Sequence, residues 1–317
     1  MKRRAFIKTG VAATAAFTLS GLTLSTHRAF AAAVTVNLQA EIATKTLGGG
    51  ATATVWQFRD TTTPGATGPG ALAAGLRVNA GDVVTVNLTN TLNRPVGLAI
   101  PGLTITPATA TAPGTTQTYT FTPTEPGSYL LTDSLTDFLG RAMGLAAPLI
   151  VMPTDGALRL APSAPLFNSQ YTLFLNEMDT RLNAAVAAGG AGTTELANYE
   201  PDYYFVNGLS YPATTTDVDT AVALRVNQQT ALRFVNGGLH INSMHFHGYH
   251  VNVTLRNRAL ETVVVEKDTV VVDVAECVDV MLPVTQPGKY ELHNHYLPAV
   301  TGNGVYPNGA MIMMDAV

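Results

Sequence analysis

The sequence predicts an all-β chain built as two sandwich domains, and three observations carry that prediction. Apolar and polar residues alternate with period two in many short runs, as they do on strands with one buried face. Clusters of Gly, Pro, Asn and Asp separate the runs, the punctuation of β-sandwiches. A weak echo recurs after about 150 residues, a period that fits duplicated domains rather than a solenoid. Val78-Asn-Ala-Gly-Asp-Val-Val-Thr-Val-Asn-Leu88 is answered by Val226-Asn-Gln-Gln-Thr-Ala-Leu-Arg-Phe-Val-Asn236, and Pro126-Gly-Ser-Tyr129 by Pro287-Gly-Lys-Tyr290.

Residues 1–31 read as an export leader of the twin-arginine type. Lys2-Arg3-Arg4 is followed by an uncharged stretch from Thr9 to Thr26 and by the small-x-small site Ala29-Phe30-Ala31. The uncharged stretch is rich in Thr, Gly and Ala and barely reaches spanning length, so cleavage is expected rather than a stable membrane anchor. The destination is then the periplasm or the extracellular space.

The first domain is expected over 32–155, with strands at Val34–Leu38, Leu76–Asn79, Val83–Leu88, Thr116–Phe121 and Leu149–Met152. Gly48–Gly50 and the Thr/Pro/Gly stretch 61–70 read as loops. The prolines of Pro153–Pro165 mark the boundary. The second domain, 156–317, has strand patterns at Tyr171–Leu175, Ala223–Val226, Thr230–Val235, His250–Leu255, Thr262–Val265, Thr269–Val274, Val278–Leu282 and Gly288–Leu292. Helical spacing occurs at Met178–Ala188, stopped by Gly189-Gly190. Glu177-x-Asp179 reads as a solvated pair of acids beside a turn.

Loss of the leader would remove Lys2, Arg3, Arg4, Lys8 and Arg28 and no acid, moving the net charge from −4 to −9. Such a surface excludes nucleic acid as a partner. The single cysteine, Cys277, rules out an intrachain disulfide, and its alternating neighbours predict a buried structural thiol.

Four histidines carry the chemistry: His245-x-His247 and His293-x-His295, each on a stretch that reads as strand. Alternate residues of a strand share a face, so two such strands side by side can aim four imidazoles at one metal ion. A tetragonal set suits copper and a tetrahedral one zinc, with copper favoured by affinity. The alternative is four imidazoles hydrogen-bonded to one another and to carbonyls with no metal. His250, three residues past His247, is expected on the opposite face, and His240 in a Gly-rich loop is a supplementary candidate. Met311, Met313 and Met314 read either as core or as soft donors for Cu(I).

These residues resemble the multicopper oxidase family, built from Greek-key cupredoxin sandwiches. The second half is similar to its C-terminal domain in Asp202-Tyr-Tyr-Phe-Val-Asn-Gly-Leu-Ser-Tyr-Pro212, Arg233-Phe-Val-Asn-Gly237, His245-Phe-His-Gly248 and His293-x-His295 followed by Gly309-Ala-Met311. The first half resembles the N-terminal domain in Gly81-Asp-Val-Val-Thr-Val86, Tyr119-Thr-Phe121, Pro126-Gly-Ser-Tyr129 and Ala147-Pro-Leu-Ile-Val151.

The departures bear on function. Where the family has His-Trp-His-Gly in the first domain, this chain has Ala99-Ile-Pro-Gly102, and its second His-x-His position holds Thr132-Asp133-Ser134, with Asp137 close by. The blue copper positions hold Asn242, Asn294 and Ala299 in place of two histidines and a cysteine. The resemblance therefore implies a degenerate member that binds metal without a blue centre.

Three functions fit: an exported copper carrier, sequestering or accessory protein; an oxidase or reductase whose multicopper cluster assembles between subunits of a homo-oligomer; and a structural subunit of a larger assembly. Whether the chain is an enzyme is left open by its residues.

Overall fold

A computed structural model describes residues 31–62, 75–136 and 138–317. Almost all of the export-leader reading, most of the 61–70 loop and Asp137 lie outside the described residues. No helix among the described residues is long and apolar enough to cross a membrane.

The first half contains β1 (Ala33–Thr46), β2 (Thr52–Asp60), β3 (Leu76–Asn79), β4 (Val83–Asn90), β5 (Thr116–Phe121), β6 (Gly127–Thr132) and β7 (Ala146–Met152). They form two sheets, ordered β2-β1-β4-β5 and β3-β7-β6. On β4, Val84, Val86 and Leu88 are buried while Thr85 and Asn87 between them are not, so alternation places one face on the core. Leu38, Tyr119, Tyr129, Leu131 and Leu149 complete that core. A short helix, α1 (Leu139–Met143), leads into β7.

The second half contains β8 (Ser169–Met178), β9 (Tyr203–Val206), β10 (Val222–Leu224), β11 (Gln229–Asn236), β12 (Asn242–Phe246), β13 (Val251–Arg256), β14 (Ala259–Lys267), β15 (Thr269–Val272), β16 (Cys277–Pro283), β17 (Gly288–Asn294) and β18 (Met311–Ala316). A six-stranded sheet runs β14-β13-β16-β11-β8-β9 and a five-stranded sheet runs β10-β18-β17-β12-β15. Leu232, Phe234, Val253 and Val280 from the first meet Met244, Phe246, Leu292, Ile312 and Met314 from the second.

The strands β2, β6, β9 and β18 lie outside the runs read above, whereas β12 is the strand expected at His245. On β6 and β9 every residue is buried, which erases the alternation that marks a one-sided strand. The predicted helix is observed as α2 (Thr180–Ala187), capped by the Asp179 side chain accepting from the Arg181 amide; Met178 instead ends β8. A third helix, α3 (Thr193–Ala197), follows.

The two halves meet on the back of the six-stranded sheet. Leu130 of β6 packs with Phe174, Val235 and Cys277. Ser128 donates to Asp279, which pairs with Arg233 at 3.2 Å, both fully buried. The five-stranded sheet consequently turns its outer face away from the first half.

Candidate metal centre

That outer face carries the histidines. His245 lies directly opposite His293 in the antiparallel pairing of β12 with β17, and Met244 and Phe246 on either side of His245 point into the core. One step along, the His247 amide donates to the Glu291 carbonyl at 2.9 Å, and on the other side the His295 amide donates to Ser243. His245, His247, Glu291, His293 and His295 thus project from one face.

The four rings cluster, with centroids 5.0 Å apart for His245 and His247, 5.1 Å for His247 and His293, 5.2 Å for His245 and His295, and 5.7 Å for His245 and His293. His247 Nε2 and His293 Nε2 face each other at 3.1 Å. Two nitrogens bound at about 2.0–2.1 Å to one ion stand about 2.9 Å apart at a right angle and about 3.4 Å at the tetrahedral angle, so this separation suits a shared metal.

The far side of each ring supports the same use. His293 Nδ1 lies 3.1 Å from the Asn294 carbonyl, which only accepts, so that nitrogen carries the proton and Nε2 presents its lone pair. His245 Nδ1 bonds Thr269 Oγ1 at 2.9 Å, which orients its ring. Burial, and then the neighbouring imidazoles, lower the His245 pKa against the opposing pull of Asp268, which favours the neutral, metal-binding form of the ring.

Glu291 is the residue that the histidine reading missed. Ligand atoms of His247, Glu291 and His293 all lie within 4.8 Å of one another. The signal was present as Glu291-x-His293-x-His295, the same alternation extended one step back. Of the other candidates, His240 stands apart from the cluster, while His250, expected on the opposite face, borders it. His240 packs edge-on against Tyr199 and Tyr296, with centroids 5.8 and 6.4 Å away, and its pKa is lowered by burial. His250 is exposed and lines the same shallow hollow as His245, His247 and Asp268.

Glu177-x-Asp179 is corrected by the structure: both carboxylates are buried, not solvated. Glu177 accepts from the Leu239 and His240 amides, and Asp179 from the Arg181 and Glu200 amides. Burial pushes the Glu177 pKa up to about 7, against the pull of those amides and of Arg141. Cys277 is buried at the start of β16, where burial raises its thiol pKa.

The positions of a blue centre are filled otherwise. Asn294 Nδ2 donates to Asn242 Oδ1 at 2.8 Å, and Asn294 Oδ1 accepts from the Ser243 and Tyr296 amides. Asn242, Asn294 and Ala299 are all buried. In the first half, Ala99 and Thr132 exchange backbone hydrogen bonds of 2.9 Å, the relation that His245 and His293 have in the second. Asp133 accepts from the Gly97 amide and from Thr136.

Two sequence profiles of the multicopper oxidase family match the chain, one over residues 53–156 and the other over 189–308, together well over half of its 317 residues. The chain belongs to the multicopper oxidase family. A blue copper oxidase from Nitrosomonas europaea is similar in structure, with TM-score 0.73, 22% identity, and coverage of 90% of this chain and 86% of that one. The multicopper oxidase mgLAC gives TM-score 0.72 at 22% identity, covering 90% and 86%. A copper nitrite reductase from Nitrosomonas europaea gives TM-score 0.69 at 18% identity, covering 90% and 94%. Comparison with curated proteins gave no match. These likenesses agree with an all-β fold of two cupredoxin-like domains. Membership in a multicopper oxidase family makes copper the metal that the imidazole cluster has to fit, and its nitrogen and oxygen donors do so.

Proposed function

We propose that this member of the multicopper oxidase family is an exported copper-binding protein that holds a non-blue copper ion on the outer face of its second domain, in a carrier, sequestering or accessory role. Residues 1–31 act as its twin-arginine-type leader, 32–155 as a metal-free supporting domain and 156–317 as the metal-binding domain. The facing Nε2 atoms of His247 and His293, 3.1 Å apart, carry the reading. Those two nitrogens and the Glu291 carboxylate would hold the ion, with His245 and His295 close enough to supply further nitrogens. Bound copper would supply a positive charge and a one-electron couple there. A buried amide pair at Asn242 and Asn294 leaves no thiolate to give intense blue colour.

Elemental analysis after copper loading and desalting tests the proposal. The expected result is close to one copper per chain, a weak visible spectrum, and loss of the copper in a variant combining His247→Ala with His293→Ala that keeps its β circular dichroism. Retention of stoichiometric copper by that variant would overturn it, as would tighter retention of zinc in direct competition.

A cluster completed by a second copy of the chain is the other reading, and the exposure of His247 and His295 favours it. It calls for about 1.5 coppers per chain in a native-mass dimer, a three-copper cluster being shared by two chains, together with oxygen or nitrite turnover.

A further inference from the structure

The cluster has a soft neighbour. β18 pairs with β17 in antiparallel register, with Met313 opposite Glu291 and Met311 opposite His293. Directly opposed residues of an antiparallel pair project to the same face, their Cβ atoms about 4.5–5.5 Å apart. Ile312 and Met314 lie in the core, so Met311 and Met313 lie on the histidine face. Met311 is buried beside the Ala213–Thr215 turn, whose Thr214 hydroxyl donates to its carbonyl oxygen. Met313 is half-buried, next to Glu291 and one strand step from the surface ion pair of Lys289 and Asp315. A methionine in that place is not packing the sandwich interior, and its flexible thioether can swing toward the donors beside it.

The three donor types differ in hardness along one short stretch of sheet. Carboxylate oxygen is hard, imidazole nitrogen borderline and thioether sulfur soft; Cu(II) takes the first two, and Cu(I) prefers the last two. We infer that the site binds Cu(I) as well as Cu(II) by exchanging one ligand: His247 and His293 serve both ions, Glu291 completes the Cu(II) set, and Met313 replaces it for Cu(I). The inference rests on the copper-binding reading above and adds to it the oxidation states and the residue that distinguishes them. No electron transfer by the protein is implied, because each ion is supplied in its own oxidation state.

The test uses the metal-free full chain and two conservative variants, Met313→Leu and Glu291→Gln. Cu(I) affinity is measured anaerobically by competition with a colorimetric Cu(I) chelator in excess ascorbate, and Cu(II) affinity by competition with a Cu(II) chelator. Met313→Leu should weaken Cu(I) by more than about tenfold, at least the loss that an outer-shell partner causes, while leaving Cu(II) unchanged. Glu291→Gln should do the reverse. X-ray absorption of the Cu(I) form should show a copper–sulfur distance that disappears in Met313→Leu. Equal Cu(I) affinity in Met313→Leu and wild type, or an absorption spectrum without sulfur, would overturn the inference while leaving the Cu(II) site standing. Failure of the wild type to bind either ion would instead defeat the copper-binding proposal.

Discussion

Asn294 ends β17 between His293 and His295, and its amide is held on both sides: it donates to Asn242 and accepts from the amides of Ser243 and Tyr296. A single substitution toward a blue site therefore meets two obstacles. Asn294→Cys supplies a thiol but leaves Asn242 and Ala299 where imidazoles are needed, and it strands the Asn242 carbonyl oxygen without its donor, at about 1–3 kcal/mol. The expected outcome is a less stable protein that, loaded with Cu(II), still lacks intense visible absorption. An intense blue band in that variant would show that the buried amide pair is not what separates this site from a blue one. Glu291 teaches a different lesson at the same scale. A glutamate on a strand is commonplace, and only its phase relative to His293 marks it as a donor.

At the scale of elements, the duplicated turn was legible because it has a backbone cause. Gly127 opens β6 at φ 135° and Gly288 opens β17 at φ 139°, a conformation that side-chain-bearing residues rarely adopt. The His-x-His strands were legible for the same reason: a period of two survives in a strand with one exposed face. The same rule explains what sequence reading lost. β6 and β9 are buried on both faces, so neither alternates. The Glu177 and Asp179 carboxylates were misread because their partners, the amides of 239, 240 and 200, come from distant loops. Gly248, which closes the His-Phe-His-Gly run, has φ 73°, and a Cβ there would stand 2.3 Å from the Tyr290 ring. Gly248→Ala should therefore both strain the turn and displace β17 against β12. The expected cost is at least about 1–3 kcal/mol of stability, read as a lowered urea midpoint, together with weaker copper retention. An unchanged midpoint and unchanged retention would mean that the turn does not set the spacing of the two histidine strands.

At the scale of the molecule, the first half has lost its own imidazoles but still buries polar anchors of the second. Ser128 reaches the Arg233–Asp279 pair, and Arg141 of α1 donates to the Gly238 carbonyl in the loop held by Glu177. That loop runs directly into β12, so the junction between halves and the approach to His245 share one buried carboxylate. Its protonation has a definite sign. Folding raises the Glu177 pKa from an ordinary glutamate value of about 4.3 to about 7, so the native state binds the proton more tightly than the unfolded chain. Its contribution is then fully present below about pH 4.3 and is lost as pH rises through about 7. At 1.36 kcal/mol per unit the loss is about 4 kcal/mol across that window. Glu177→Gln keeps an oxygen to accept from Leu239 and His240 but cannot titrate. Urea unfolding at pH 5 and pH 8 should show the wild type losing stability relative to the glutamine variant on going to the higher pH, with other groups cancelling in the difference. Parallel behaviour of the two proteins would mean that the buried carboxylate is ionised throughout, held by Arg141 and the two amides more strongly than burial opposes them.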